Sequence, residues 1–445
     1  MILSSYSNML TKREIRSVAL QIAFIVFCFS GFGQSLRLPD AISIALKNSL
    51  DLDILKNNVE ISAINNNIGV AGGLPVVSNT TTFTEQVTNV NQKLISGTTI
   101  KRTGATGNNL NSGITASILL YNGSYVTSTK NKLEQLQAQS EQYLNSQIQN
   151  LVASVVTAYY DVVRQLGYMK TIDRSIDASQ KKLDIVKAQQ NVGMANNADL
   201  FQSQLDLNAL IQSKQSQQSV IDQSKTQLLL LLSLRPDSTV NIVDSIVVDK
   251  TVVLGDILAG LEKNADIIAA DEQVKINELI TKQTAALRYP SLHANTSYSY
   301  SRSQISASQI LLNQNNGLYG GVSLGIPIYN GSIYRRQQKV ADINTKNAVI
   351  QKEILERNYS ASAVKTYQAY SSSLQQLETQ QKNVELAGKL LDLVLLRFQL
   401  RQATILEVEQ AQQTFENASY TLTNLSFAAK SSEIELKRLI NQIKF

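Results

Sequence analysis

Few residues in this chain have a type and spacing that could do chemistry. The one histidine, His293, lies shortly after Pro290. With no second histidine to share a metal or complete a Ser-His-acid relay, it reads as a wall residue. The stretch LYGGVSLGIP (Leu318 to Pro327) is rich in glycine, but its glycines fall in an alternating strand pattern. A phosphate cradle needs a strand-to-helix loop carrying a lysine, so close packing between strands explains these glycines better. The one cysteine, Cys28, sits in an apolar N-terminal run behind Phe27, where a lipid-anchored cysteine would follow a small residue. It leaves no disulfide to form. Catalytic, cofactor-binding and metal-binding residues are therefore not expected, and the chain is not read as an enzyme.

The elements that would position functional residues must fit a long chain. It has 445 residues, 43% hydrophobic and 17% charged, too many for one ordinary core and too ordered in composition for disorder. Lys12, Arg13 and Arg16 precede the apolar run VALQIAFIVFCFSGFG, which ends in small residues. That is the layout of a secretory signal over residues 1–33, cleaved after Gly33. Its removal takes away three basic residues and Glu14, leaving 38 basic and 34 acidic residues, a net +4. So small an excess points to no nucleic-acid partner. The longest later apolar run is LLLLL at 228–232, well short of the ~20 residues of a membrane helix. If the protein sits in a membrane, it does so as strands.

The chain repeats itself. At an offset of 208, Tyr121-Asn122-Gly123-Ser124 falls on Tyr329-Asn330-Gly331-Ser332, and VGMANNADLFQSQ from Val192 falls on LRQATILEVEQAQ from Leu400. Upstream, LPDAISIALKN from Leu38 matches LGDILAGLEKN from Leu254 at 216, and LPVV from Leu74 matches YPSL from Tyr289 at 215. Four colinear matches indicate duplication. The shift in offset puts seven extra residues in the first copy between Pro75 and Tyr121. Two repeats are expected: 34–235, with strands within about 75–122 and a hairpin tip at about 191–197; and 236–445, with strands within about 290–329 and a tip at about 399–404. The prolines agree: Pro39 opens a helix, Pro75 and Pro290 start strands, Pro236 separates the halves and Pro327 sits at a strand end.

From Leu144, apolar residues run Ile148, Leu151, Val155, Tyr159, Val162, Leu166, Met169, Ile172 and Ile176, then polar Gln180, then Leu183 and Val186. This is twelve steps over 42 residues, the 3.5-residue period of a coiled coil. Helices from about Val126 to Gln190 and from Ile333 to Leu400 would each be roughly 95 Å long. They are too poor in apolar residues to bury themselves alone. The strands alternate: Ile114, Ala116, Ile118 and Leu120 on one face, and likewise Ala294, Thr296, Tyr298 and Tyr300, then Leu318, Val322, Leu324, Ile326 and Ile328. An apolar face opposite a small or polar face over about ten residues suits a membrane barrel, and a half-buried soluble sheet equally well.

LPDAISIALKNSL, AGGLP, the signatures ILLYNG and IPIYNG, and the tip stretches at Val192 and Leu400 together resemble the TolC-like outer-membrane efflux channels over essentially the whole mature chain. The resemblance implies a mainly α fold with transmembrane β. Three chains would build a twelve-stranded outer-membrane β-barrel, continued by a long periplasmic α-helical barrel. Tyr121-Asn122-Gly123 and Tyr329-Asn330-Gly331 would be the strand-to-helix joints. The tips, Val192-Gly193-Met194 and, without a glycine, Leu400-Arg401-Gln402, would meet a periplasmic adaptor. Glu407 would narrow the channel aperture, Gln410 stands where the family has a second acid, and Asp199 is the first-repeat counterpart of Glu407. Each acid also fits a solvated helix face or a first-turn dipole partner.

The expected function is thus the channel subunit of a tripartite efflux or secretion system in the outer membrane of a Gram-negative bacterium. It would be a passive conduit from the periplasm, opened by an adaptor and an inner-membrane pump, with outer-membrane lipid around it and no cofactor. A periplasmic adaptor has one hairpin flanked by small β domains, whereas this chain has two hairpins. A structural trimeric coiled coil would lack the strand pairs that interrupt these heptads.

Overall fold

The computed structural model describes residues 36–307 and 310–443; the expected signal segment 1–33, with Cys28, lies outside them. From the N-terminus, α1 (Leu38–Asn48) and α2 (Leu50–Asn65) lead into the hairpin β1 (Val76–Lys93) and β2 (Thr99–Tyr121), followed by α3 (Tyr125–Asn191) and α4 (Asn197–Leu231). A connector leads to α5 (Leu254–Gly260), a 3₁₀ turn at Leu261–Lys263 and α6 (Ala265–Ala286). Then come β3 (Ser291–Ile305), β4 (Leu312–Gly325), α7 (Ile333–Gln399) and α8 (Ile405–Leu439).

α3 and α7 each have 67 residues, about 100 Å at 1.5 Å per residue, and α4 and α8 each have 35. Each long helix packs against shorter ones in series, α3 against α2, α6 and α4, and α7 against α6 and α8. Local chemistry sets the breaks. Ser49 ends α1 and caps α2 by accepting from the Leu52 amide, while Asn264 accepts from the Asp266 amide at 2.9 Å and starts α6. Pro75 and Pro290 immediately precede β1 and β3.

In α3 the 3.5-residue series supplies the seam: Val155, Tyr159, Val162, Ile172, Leu183 and Val186 are buried. The core forms three clusters along the long axis. One surrounds Tyr159, where α1, α3 and the end of α4 meet. A second surrounds Tyr370, between α5, α7 and α8. A third joins Val186, Leu391, Phe398 and Val408 near the far ends of the hairpins. Mid-molecule, the connector is fixed by polar contacts. Tyr159 donates to the Leu36 carbonyl and to Asp244, and Lys437 bridges Asp249 at 2.9 Å and Glu433 at 2.7 Å. Hydrogen bonds from Thr251 and then Lys437 hold the Asp249 carboxyl well below the usual carboxylate range.

The four strands form one antiparallel sheet in the order β1-β2-β3-β4. Register sets Asn79, Ile114, Tyr298 and Leu318 across one face, and Ile118, Ala294 and Val322 in the next apolar row. That face is uncovered, Leu318 being 77% and Val322 67% exposed. The opposite face carries a polar ladder in which Ser117 donates to Asn295 and Asn295 donates to Ser323. β1 and β2 outreach their neighbours. The ladder to β3 ends at Gly107 opposite Ile305, so Val87–Lys93 and Thr99–Thr106 stand as a two-stranded ribbon closed by a turn at Gly97.

β4 stops at Gly325, short of the 329 expected from sequence. Its counterpart β2 runs on to Tyr121 because β3 pairs with it there. Beyond Gly325, Pro327 offers no amide and no strand lies on the outer edge of β4.

Both strand-to-helix joints use the same backbone. Gly123 and Ser124 have φ of 63° and 71°, and Gly331 and Ser332 have 67° and 63°. Their surroundings differ. A Cβ on Gly123 would stand 2.6 Å from Tyr289, whereas one on Gly331 would meet nothing within 4 Å. Gly331→Ala should cost about 1 kcal/mol of left-handed strain. Gly123→Ala should add an overpacking cost of roughly 1–3 kcal/mol. Chemical denaturation of the two variants should show this order; equal losses would remove the Tyr289 contact from the joint.

Candidate functional site

The structure places the sequence-predicted residues in two groups at opposite ends of the long helices. The joint residues Tyr121, Asn122, Gly123, Tyr329, Asn330 and Gly331 link β2 to α3 and lie between β4 and α7. The tip residues and the acids lie where α3 turns into α4 and α7 into α8.

The two tips share one fold. The Gly193 and Met194 amides donate to the Gln190 and Gln189 carbonyls, both at 2.8 Å, closing α3 in a left-handed helix end with Gly193 at φ 71°. In the second tip Arg401 occupies the glycine position at φ 64°, and the Arg401 and Gln402 amides donate to Phe398 and Arg397 at 3.1 and 2.7 Å. The missing glycine changes the side chain but not the turn, at a cost of ~1 kcal/mol. The Arg397 guanidinium donates to the Gln402 carbonyl at 2.6 Å, one more hydrogen bond on the second turn. Val192, Met194 and Leu400 are exposed, and the Arg401 guanidinium rests against the Met194 sulfur, bringing the tips together.

Asp199 and Glu407 are the third residues of α4 and α8, and their surroundings differ. Asn196 caps α4, accepting from the Asp199 amide at 2.7 Å. In α8, Thr404 accepts from the Glu407 amide at 3.2 Å, and the Glu407 carboxylate accepts from the Thr404 amide at 2.6 Å, a full capping box. The Thr404 amide and hydroxyl, with Arg397 farther off, hold the Glu407 carboxyl below its ordinary range. Gln410, one turn on, is exposed.

Sequence reasoning passed over the feature that ties the hairpins together. The Lys182 side chain on α3 is 1% exposed, and its ammonium donates to Asp206 of α4 at 2.5 Å and to Glu409 of α8 at 3.2 Å. Burial pushes the Asp206 carboxyl up, but the ammonium, with a hydrogen bond from Gln202, outweighs it and holds the carboxyl below its ordinary value. The repeat offset carried the clue: it sets Lys182 on Leu390 and Glu409 on Phe201, apolar residues in the other copy. Arg174 to Asp392 at 2.5 Å links α3 to α7 nearby.

Among the described residues no cluster of His, Cys, Asp or Glu could hold a metal, and no helix is long and apolar enough to cross a membrane. An uncovered apolar sheet is carried on paired helical hairpins of equal length. The chain belongs to the outer membrane efflux protein family, which matches residues 41–233 and 259–442. It is 22% identical over 305 residues to outer membrane protein TolC of Escherichia coli K12, a match spanning 66% of this chain and 62% of that relative's length. It superposes on VceC of Vibrio cholerae with a TM-score of 0.76 at 17% identity, covering 91% of this chain and 96% of that one. With the open state of the MtrE channel of Neisseria gonorrhoeae the TM-score is 0.71 at 17% identity, over 92% and 90% of the two chains. This is a TolC-like outer-membrane protein with a large helical periplasmic portion, in a family of transport conduits rather than enzymes.

Removing the Lys182 ammonium would leave two carboxylates facing each other. Lys182→Met should destabilise by about 2 kcal/mol at pH 7, less than the ~3–5 of a fully buried pair, because Asp206 and Glu409 stay partly hydrated. With its folded value depressed, Asp206 stabilises the parent above its unfolded value, and that contribution is lost as pH falls below about 4. The parent should therefore be flat between pH 7 and 5, while the variant regains stability there as a carboxylate protonates. Thermal melts at the two pH values test this; a variant as flat as the parent would mean the triad carries no coupled charge.

Proposed function

We propose that the chain is the outer-membrane subunit of a tripartite efflux or secretion system. Three copies close a twelve-stranded barrel and a periplasmic helical barrel around a passive conduit, which a periplasmic adaptor and an inner-membrane pump open. The observation that carries this reading is the open sheet. Among the described residues, four strands in linear order leave the outer edges of β1 and β4 without strand partners, and such edges are satisfied in a bilayer only by closure. The exposed apolar face fits lipid: Ile114, Tyr298, Leu318, Val322 and Leu324 lie on it across adjacent strands, each at least half exposed. On α7, Leu386, Leu390, Leu393 and Leu396 are uncovered in the single chain, as a helix flanked by a second copy would be.

Within this reading the chain is organised as repeats 34–235 and 236–445, and the adaptor reads the tips at Val192-Gly193-Met194 and Leu400-Arg401-Gln402. The common turn geometry supports docking at both. Glu407, with its first-repeat counterpart Asp199 and with Gln410 one turn beyond, lines the aperture, where three carboxylates around one axis favour cations.

Two experiments test the proposal. A charge at Val322 or Leu324 should cost ~2–4 kcal/mol near the bilayer midplane and deplete heat-modifiable trimer from outer-membrane fractions, whereas one at Ser323 should be tolerated; equal effects at both parities would sink the barrel. For the aperture, Glu407→Gln removes the charge while an amide keeps the capping-box contacts. Its trimers in planar bilayers should lose cation preference and divalent block. Parent-like selectivity would move the constriction elsewhere, with Arg401 the next residue to test.

A further inference from the structure

Beside the first joint, where helices give way to strands, lies a cavity of about 540 Å³. Its strand wall is made by Leu119, Ser291, His293 and Gly325. Leu119 stands opposite His293 and Ser291 opposite Gly325, in the rows of the polar face and not those of the apolar band. Tyr125, Tyr289 and Tyr334 line it too, one from the start of each long helix and one from the turn before β3, with Ala286, Leu287, Ile326 and Pro327 among them. Gly123 belongs to this construction, because only a residue without a Cβ lets Tyr289 lie against the joint. The second joint has no equivalent contact.

The lining chemistry is selective. No aspartate, glutamate, lysine or arginine contributes to it, so an ion entering the cavity would lose hydration and find no countercharge. Three phenol rings offer faces and edges to another aromatic ring. The Asn122 and Ser291 side chains, the His293 imidazole and the phenol hydroxyls supply a few hydrogen-bonding groups in an otherwise apolar lining, and the volume falls in the range of small-molecule sites.

We propose that this cavity is a binding subsite for an uncharged planar aromatic compound, met by cargo as it passes from the helical to the stranded wall. This deepens the conduit reading and rests on it in one respect, that the polar face of the sheet lines the lumen. The subsite holds a ring by stacking and releases it readily, since no charge anchors it.

The chain contains no tryptophan, so Tyr334→Trp in the full-length purified protein places one reporter in the cavity wall, with Tyr125→Trp as the second choice if the first does not fold. Leu324→Trp, on the apolar face, reports partitioning into detergent. Titration with 4-nitroanisole, a neutral aromatic quencher, should give saturable quenching of the cavity reporter and linear quenching of the Leu324 reporter. 4-Nitrobenzenesulfonate should bind the cavity at least tenfold more weakly. Leu119→Arg should raise the apparent Kd for 4-nitroanisole at least tenfold. Linear quenching at both reporters in assembled trimer overturns the subsite, as does saturation confined to monomer, which would mean that a neighbouring copy fills the cavity. Failure to form trimer at all, judged by heat-modifiable bands, overturns the conduit reading instead, and with it the passage of cargo past the cavity.

Discussion

The constraint on which the rest of the structure depends is axial register. Two helices leave one sheet through identical left-handed turns and must turn back at one level, and an α-helix advances 1.5 Å and rotates 100° with every residue. One residue inserted into α3 alone would lift its tip relative to that of α7 and swing its apolar seam away from its neighbours. The two 67-residue helices and two 35-residue returns satisfy this to the residue. The contact between Arg401 and Met194, the salt bridge from Arg174 to Asp392 and the Lys182 triad depend on it, because each joins side chains from different helices or tip turns at one height.

Given that register, stability is distributed along the axis. No single core holds the molecule. Three clusters lie in series, with stretches of small and polar residues between them, and the α7 surface is largely open in the single chain. Polar networks take over where apolar packing thins: the connector is pinned by Glu433, Lys437 and Asp249, and the lower hairpins by Lys182. A buried ammonium with two carboxylates is a specific joint more than a strong one, since desolvation offsets much of its attraction.

Much of this was legible in the sequence because it repeats or alternates. The 3.5-residue series marked the buried seam of α3, and the residues Tyr-Asn-Gly-Ser marked both turns into helix. What escaped depends on neighbours that periodicity does not see. β4 ends early because pairing, not strand propensity, decides where a ladder stops. Arg401 reads as a departure from Gly193, yet the backbone hydrogen bonds around it impose the same turn. Lys182 sits in a run of polar residues that looks solvated, and only the approach of α4 and α8 buries it. Glu407 is legible as an acid at a helix start, but its return bond to the Thr404 amide depends on the backbone turn that Thr404 makes.

The β1–β2 ribbon is tied at its base, where Ser306 hydrogen-bonds Thr106 and Arg102, but its far end obeys none of these restraints. Beyond Gly107 and Ile305 no third strand among the described residues pairs with it, and the seven residues by which the first copy exceeds the second lie between Pro75 and Tyr121, in the segment that forms this hairpin. Where a partner measures a segment, the two copies have kept equal lengths; where nothing measures it, they have drifted apart. The far end of the hairpin is accordingly the part of the molecule open to revision. An epitope or affinity tag placed at Ser96-Gly97 would lengthen a turn that no other element reads, leaving the sheet, the joints and the helices below it unaltered.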